Sequence, residues 1–185
     1  YLDLLLTWNK KVNLTAITDP DEAVEGHLLD SLAAAPALQG LESVVDLGAG
    51  GGLPGIPLAI LFPGVEFTLV DTVGKKVGFL KAASASLGLK NLRAVHARAE
   101  GAPAKEGIPV CRGAIARAFM APDEWTALAR HYVAENGLIL AMLGAETTLP
   151  EKLPEGVTFL DSLEYRLPWS GAVRRVARFR RGVLG

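Results

Sequence analysis

Asp46-Leu47-Gly48-Ala49-Gly50-Gly51-Gly52-Leu53-Pro54-Gly55 joins an apolar run to a glycine-rich turn. Ser43-Val44-Val45-Asp46-Leu47 reads as a short buried strand. Leu53 to Phe62 reads as the start of a helix, with Pro54 near its first turn, where a missing N–H costs nothing. A glycine turn between strand and helix brings backbone N–H groups and a helix N-terminus up to a ligand. Read alone, it is also compatible with a tight turn that binds nothing. Gly50 to Gly55 even satisfies the G-x-G-x-x-G spacing of a dinucleotide site. Asp46 argues against that ligand, because a carboxylate at the strand end repels a pyrophosphate. It can reach the amino-acid end of S-adenosylmethionine directly or through water. A second strand, Phe67-Thr68-Leu69-Val70-Asp71, also ends in an acid. Asp71 falls at the distance expected for a ribose-binding carboxylate and suits either nucleoside.

The 185 residues are half hydrophobic and carry a formal net charge of −1. This predicts one domain, 1–185, with a sizeable core. No apolar run reaches membrane-spanning length, since Leu53–Phe62 is interrupted by Pro54 and Pro57. The chain opens at Tyr1 with no visible secretory signal, and a natural N-terminal segment is expected to precede it. The single Cys111 offers no internal disulfide, and His27, His96 and His131 lack metal-ligand spacing. A cytoplasmic, metal-free enzyme fits. Near-neutral charge disfavours a strongly basic nucleic-acid binder. Residues 161–185, however, hold six arginines against Asp161 and Glu164. Five of them crowd Arg174 to Arg181, either to meet phosphates or to guard a solvated strand edge.

Tyr1, Leu5, Trp8 and Val12 mark one helical face. Asp19-Pro20-Asp21-Glu22 opens a second helix with Asp19 as cap, and Val24, Leu28 and Leu32 form its apolar stripe. From Ser43 strand and helix signals alternate: 43–47, 53–62, 65–70, 75–87, 92–96, 113–117, 122–134 and 138–143. Residues 105–109 read as a surface loop. Alternation predicts a parallel sheet with helices on both faces. Strands at 157–163 and 172–179 lack a helix between them and predict an antiparallel hairpin at the sheet edge. The expected fold is therefore α/β and Rossmann-like: a mostly parallel seven-stranded sheet over 43–185 with a C-terminal antiparallel hairpin, preceded by a helical segment, 1–40, packed on it. A parallel sheet ending this way is the shape of class I S-adenosylmethionine-dependent methyltransferases.

Several blocks together resemble one family. Trp8-Asn9-Lys10-Lys11-Val12-Asn13-Leu14-Thr15, His27-Leu28-Leu29-Asp30-Ser31-Leu32 and the Asp46–Leu58 turn with its P-G-I-P are similar to motifs of the bacterial 16S rRNA guanine-N7 methyltransferases, also called glucose-inhibited division protein B. Asp71 with Lys75-Lys76, Arg98-Ala99-Glu100, Ala116-Arg117-Ala118 and Gly171–Arg175 resemble further blocks, so the likeness covers nearly the whole chain. Four positions depart from it: Gly26 for arginine, Ala116 for serine, Leu143 for lysine and Arg175 for histidine. The arginine and lysine losses remove phosphate partners and leave cofactor binding untouched.

The resemblance implies methyl transfer from S-adenosylmethionine to guanine N7 in the 530 loop of 16S rRNA, in the small ribosomal subunit or an assembly intermediate. It implies that Gly48, Gly50, Gly52 and Leu53 hold the methionine end, that Asp71 holds the ribose, and that Ala99 and Glu100 bracket the adenine. Arg117, at a strand end, would position the cofactor carboxylate or an RNA phosphate. His27 and Asp30 would line the substrate mouth or pair on the surface, and Arg174 and Arg175 would touch RNA. Lys75-Lys76 reads as a solvated helix start, Trp169 as a loop residue able to stack a base or cap the core. The rival readings are a methyltransferase on another RNA or a small molecule, an NAD-dependent oxidoreductase, and an RNA-binding module without catalysis.

Overall fold

The computed structural model describes residues 1–117 and 119–183. Its strands are β1 (Ser43–Leu47), β2 (Glu66–Asp71), β3 (Leu92–His96), β4 (Cys111–Arg117), β5 (Val133–Gly144), β6 (Val157–Arg166) and β7 (Val173–Arg181). They form one sheet in the order β3-β2-β1-β4-β5-β7-β6. β1 to β5 pair in parallel, and β7 runs antiparallel between β5 and β6. The chain steps outward from β1 to β3 and then returns to β4 on the other side of β1. That reversal opens a crevice beyond the carboxyl ends of β1 and β4.

Alternating residues of each strand feed two cores, as a sheet buried on both faces requires. Val44, Phe67, Leu69, Ile115 and Leu140 pack with Leu5, Ile56, Leu58, Phe79 and Leu80. Val45, Leu47, Val70, Ala114 and Ile139 pack on the opposite face with Trp125, Ala129 and Tyr132. The helix Leu2–Val12 uses the expected face: Leu5 is fully buried, and Tyr1, Trp8 and Val12 lie partly buried against the first core.

Three expectations need correction. The second helix starts as read, with Asp19 Oδ1 accepting the N–H groups of Asp21 and Glu22 at 2.9 and 3.0 Å. It then widens into a π-helical turn, Val24–Leu29, before the helical Asp30–Leu32. The wider turn rotates the inward face, so Glu25, His27, Asp30 and Ser31 are buried while Val24, Leu28 and Leu32 are only half-buried. The helix expected over 122–134 is Pro122–Ala129, because the chain has already entered β5 at Val133. β5 passes Asn136 at φ 61°, alongside a register shift against β4. Within the 105–109 loop region, Pro103–Glu106 forms a helical turn and Ile108 is buried. No helix among the described residues is long and apolar enough to cross a membrane.

Candidate active site

The four glycines after β1 do different work. A Cβ on Gly50, at φ 55°, would meet only the Gly48 carbonyl at 3.9 Å, so its face is open. Gly48, at φ 75°, carries the Phe119 ring where a Cβ would stand. Gly51 has Leu5 Cδ1 2.9 Å from that position, and Gly52 has Ile56 and Leu80 there. Gly50 and Gly48 line a cavity of about 250 Å³ with Val70, Asp71, Thr72, Val73, Lys76, Ala97, Ala99 and Phe119. Gly52 and Leu53 do not line it. Their N–H groups both bond the Ala49 carbonyl, and Leu53 is buried in the core. Gly52 and Leu53 therefore shape the turn from behind, which is not the ligand-facing place expected of them.

Asp71, at the carboxyl end of β2, accepts the Gly50 N–H at 2.9 Å and the Val73 N–H at 2.8 Å, one on each oxygen. A carboxylate has about four acceptor sites, so a second hydrogen bond remains available on each oxygen. Those sites suit a ribose diol. Asp46 is buried at the end of β1, with Oδ2 accepting the Gly55 N–H at 3.0 Å. Its Oδ1 is buried without a hydrogen-bond partner among the described residues. Burial pushes its pKa up to about 7, with the Gly55 bond and nearby Arg117 opposing and Asp71 adding to the rise. An unmet buried acceptor beside a glycine turn fits a ligand that brings a donor, such as the ammonium group of S-adenosylmethionine.

Ala99 lines the cavity, whereas Glu100 turns its side chain to solvent, loosely facing Arg98 at 4.0 Å. Glu106, which sequence reasoning missed, fixes this loop. Its Oε1 accepts the Glu100 and Ala102 N–H groups at 2.9 and 3.1 Å, and Oε2 accepts the Tyr132 hydroxyl. That hydroxyl in turn accepts the Gly101 N–H at 2.8 Å. Burial, and then the bond to Glu106, pushes the Tyr132 phenol up to about 12.

Arg117 ends β4 and faces a second hollow. Nη1 donates to the Gly26 carbonyl at 2.8 Å and to Asp30 Oδ2 at 3.1 Å. Asp30 Oδ1 accepts the Tyr165 hydroxyl at 2.7 Å and lies 3.4 Å from Arg174 Nε. His27 Nε2 lies 2.6 Å from Thr15 Oγ1, and its Nδ1 lies 3.4 Å from Arg117 Nη2. Burial, and then the Arg117 charge, lowers the His27 pKa and so favours the neutral ring. His27 and Asp30 are thus buried partners of Arg117, neither a surface pair nor open to solvent. Asp30, Arg117, Tyr165 and Arg174 form the polar end of a cavity of about 350 Å³, whose walls include Met120, Pro122, Met142 and Leu143. One carboxylate against two guanidinium groups leaves this end positive. A roomier groove of about 490 Å³, near Lys81 and Lys90, lies by the amino end of β3, away from the glycine turn.

The arginines of β7 are mostly tied inward. Arg175 donates to the Thr147 carbonyl, Arg181 to the Val133 carbonyl, and Arg178 makes a bidentate pair with Asp161. Arg180 is exposed. Trp169 is 62 % exposed on the β6–β7 loop, whose Trp169 and Ser170 N–H groups bond the buried Glu25 carboxylate. Burial raises the Glu25 pKa, but these two N–H groups, the Ser170 side chain and the Arg174 charge together outweigh it and hold the group below its usual range.

Solved structures share the architecture. A putative O-methyltransferase from Klebsiella pneumoniae superimposes with a TM-score of 0.65 at 12% identity, covering 98% of this chain and 90% of that one. TrmN from Thermus thermophilus gives 0.63 at 19% identity, over 83% of this chain and 48% of that one. The fold is that of class I S-adenosylmethionine-dependent methyltransferases. Sequence relatives are nearer. The ribosomal RNA small subunit methyltransferase G of Myxococcus xanthus is 53% identical over 179 residues, 95% of this chain and 82% of the relative. The same-named protein of Klebsiella pneumoniae is 42% identical over 169 residues, 91% of this chain and 80% of the relative. A family model described as rRNA small subunit methyltransferase G matches residues 1–165, and the chain belongs to that methyltransferase family.

Proposed function

We propose that this chain methylates N7 of a guanine in the 530 loop of 16S rRNA, using S-adenosylmethionine, in the bacterial cytoplasm. The observation that carries the reading is the pair of cavities at the carboxyl ends of the strands. One is lined by bare glycine and Asp71, with Asp46 beside it, and the other ends in Arg117, Asp30 and Arg174. The first has the chemistry of a nucleoside with an amino-acid tail. The second offers apolar walls and a cationic end to a base and its phosphate.

S-adenosylmethionine supplies an electrophilic methyl group when bound. Asp46, Gly48 and Gly50 would receive the amino-acid end, Asp71 the ribose, and Ala99 the adenine. Arg117 and Arg174 donate to the target nucleotide. Guanine exposes two acceptors, N7 and O6, on one edge, whereas adenine places an amino donor there. Donors held beside O6 therefore favour guanine and leave the N7 lone pair free. N7 carries no proton, so the transfer needs alignment and no general base. His27 has Nε2 against the Thr15 hydroxyl and Nδ1 against the Gly26 carbonyl, so both ring nitrogens are engaged, and the transfer requires no base.

The test is mass mapping of 16S rRNA from a strain lacking this gene, with and without complementation by it. A guanine in the 530 loop should gain an N7-methyl group only in the complemented strain. Methylation elsewhere in the ribosome, or none, would overturn the target assignment.

A further inference from the structure

Phe119 has no part in the function proposed above, yet it links the two cavities along the chain. It lines the glycine-turn cavity, and its neighbour Met120 lines the cationic one. The Cγ–Cδ2–Cε2 edge of its ring covers Gly48, where a Cβ would otherwise project. Gly50, two residues on, is bare. A glycine in such a turn leaves its backbone open to close approach, and here the group that approaches Gly48 is the protein's own ring. On its far side the ring meets Trp125 edge-on, with centroids 6.4 Å apart and planes at 86°. Trp125 is fixed, buried with Nε1 donating to the Leu140 carbonyl at 3.1 Å. Phe119 itself is 40 % exposed, so the ring has room to swing outward while Trp125 stays.

We propose that the Phe119 ring occupies the berth of the cofactor's amino-acid tail over Gly48, and that the ring must swing off the glycine for that tail to reach Asp46. This rests on the cofactor reading given above. The adenosine part needs no such movement, because Asp71 holds the bare Gly50, and Val73 and Ala99 line the same cavity. Phe119 is thus a positioning residue that sets how the methyl donor enters beside the cationic cavity. Its contact with Gly48 and Trp125 stabilises the ligand-free protein and so opposes binding of the tail alone.

The experiment is calorimetric titration of S-adenosylhomocysteine and, separately, adenosine into the wild-type chain, Phe119→Ala and Phe119→Leu. Phe119→Ala should bind S-adenosylhomocysteine about three- to tenfold more tightly, the scale of one lost aromatic edge contact. Phe119→Leu should fall between. Adenosine affinity should change less than about twofold by the same reasoning. The Trp125 indole N–H resonance should shift when S-adenosylhomocysteine, but not adenosine, is added to the wild-type protein, and should shift much less in Phe119→Ala. Weaker or unchanged S-adenosylhomocysteine binding in Phe119→Ala would make the ring an ordinary wall of the site and overturn the proposal. Equal tightening for both ligands would mean a general loosening, with the same consequence. If the wild-type chain bound neither ligand, the cofactor reading itself would fall, and this proposal with it.

Discussion

Asp46 holds one oxygen against the Gly55 N–H and keeps the other unmet in apolar surroundings, with Arg117 and Asp71 as the nearest charges. Its raised pKa, about 7 against an ordinary 3.8, has two opposite consequences. In the ligand-free protein the protonated form is favoured, so this group's contribution to stability is present at low pH and is lost as pH rises through about 7. Binding an ammonium group needs the carboxylate, so the proton must leave. Affinity for S-adenosylhomocysteine should therefore rise up to about tenfold per pH unit below neutrality and level off above it. Calorimetry in buffers of different ionisation enthalpy should record proton release near pH 6, and Asp46→Asn should abolish both effects. His27 works the other way. Its folded pKa is depressed by burial and by Arg117, so its contribution is full above about pH 6.5 and is lost as pH falls below that. The fall in Tm between pH 7.5 and 5 should be smaller in His27→Gln than in the wild-type protein, by thermal unfolding followed with circular dichroism.

Among the elements, the short strands of the parallel sheet were the most legible. β1 and β3 lie where the residues predicted, and the glycine turn announced the crevice. The inward face of the second helix was not legible, because periodicity presumes 3.6 residues per turn and Val24–Leu29 winds wider. Nothing in Val24-Glu25-Gly26-His27-Leu28-Leu29 signals the change locally. Its cause is tertiary: the Gly26 carbonyl accepts Arg117, and Glu25 accepts the β6–β7 loop. The extent of β5 was hidden for a related reason. Residues 135–137 fell between the expected helix and strand, yet a Cβ at Gly137 would lie 2.6 Å from the Arg112 carbonyl, so the glycine serves a close strand contact. For β7, composition left a phosphate-binding run or a solvated strand edge open, while antiparallel pairing puts the strand between β5 and β6 and most of its arginines find partners within the protein. The Arg178–Asp161 pair is partly exposed, so Arg178→Ala should cost only about 0.2–1 kcal/mol in urea denaturation. It should leave the salt dependence of rRNA binding unchanged. Arg180→Ala should instead lower the magnitude of the logarithmic salt slope by about 1, as removal of one phosphate contact does.

At the scale of the molecule, Asp30 joins three distant parts of the chain. It sits on the N-terminal segment, takes Arg117 from the end of β4, and takes Tyr165 and Arg174 from the C-terminal hairpin. Sequence blocks named Asp30 and Arg117 but could not show that they meet, and nothing singled out Tyr165. A helical appendage and an edge hairpin are thereby made into walls of one cationic cavity at the switch point of the sheet. The carboxylate is almost wholly buried, with 3 % side-chain exposure, so Asp30→Asn leaves two guanidinium groups facing a neutral amide. Unfolding in urea should show a loss of about 1–3 kcal/mol, because the Arg117 and Arg174 guanidinium groups lose their charged acceptor while remaining 20 % and 39 % exposed. Tyr165→Phe removes one hydrogen bond to a charged acceptor and should cost about 1.5–3 kcal/mol. If the hairpin and the N-terminal segment are held together through this contact, the double variant should lose less than the sum of the two, with a coupling of about 1–2 kcal/mol. Additive losses would mean that the two ends of the chain are each anchored to the sheet independently, and that the cavity's polar end is assembled by their separate docking instead of by Asp30.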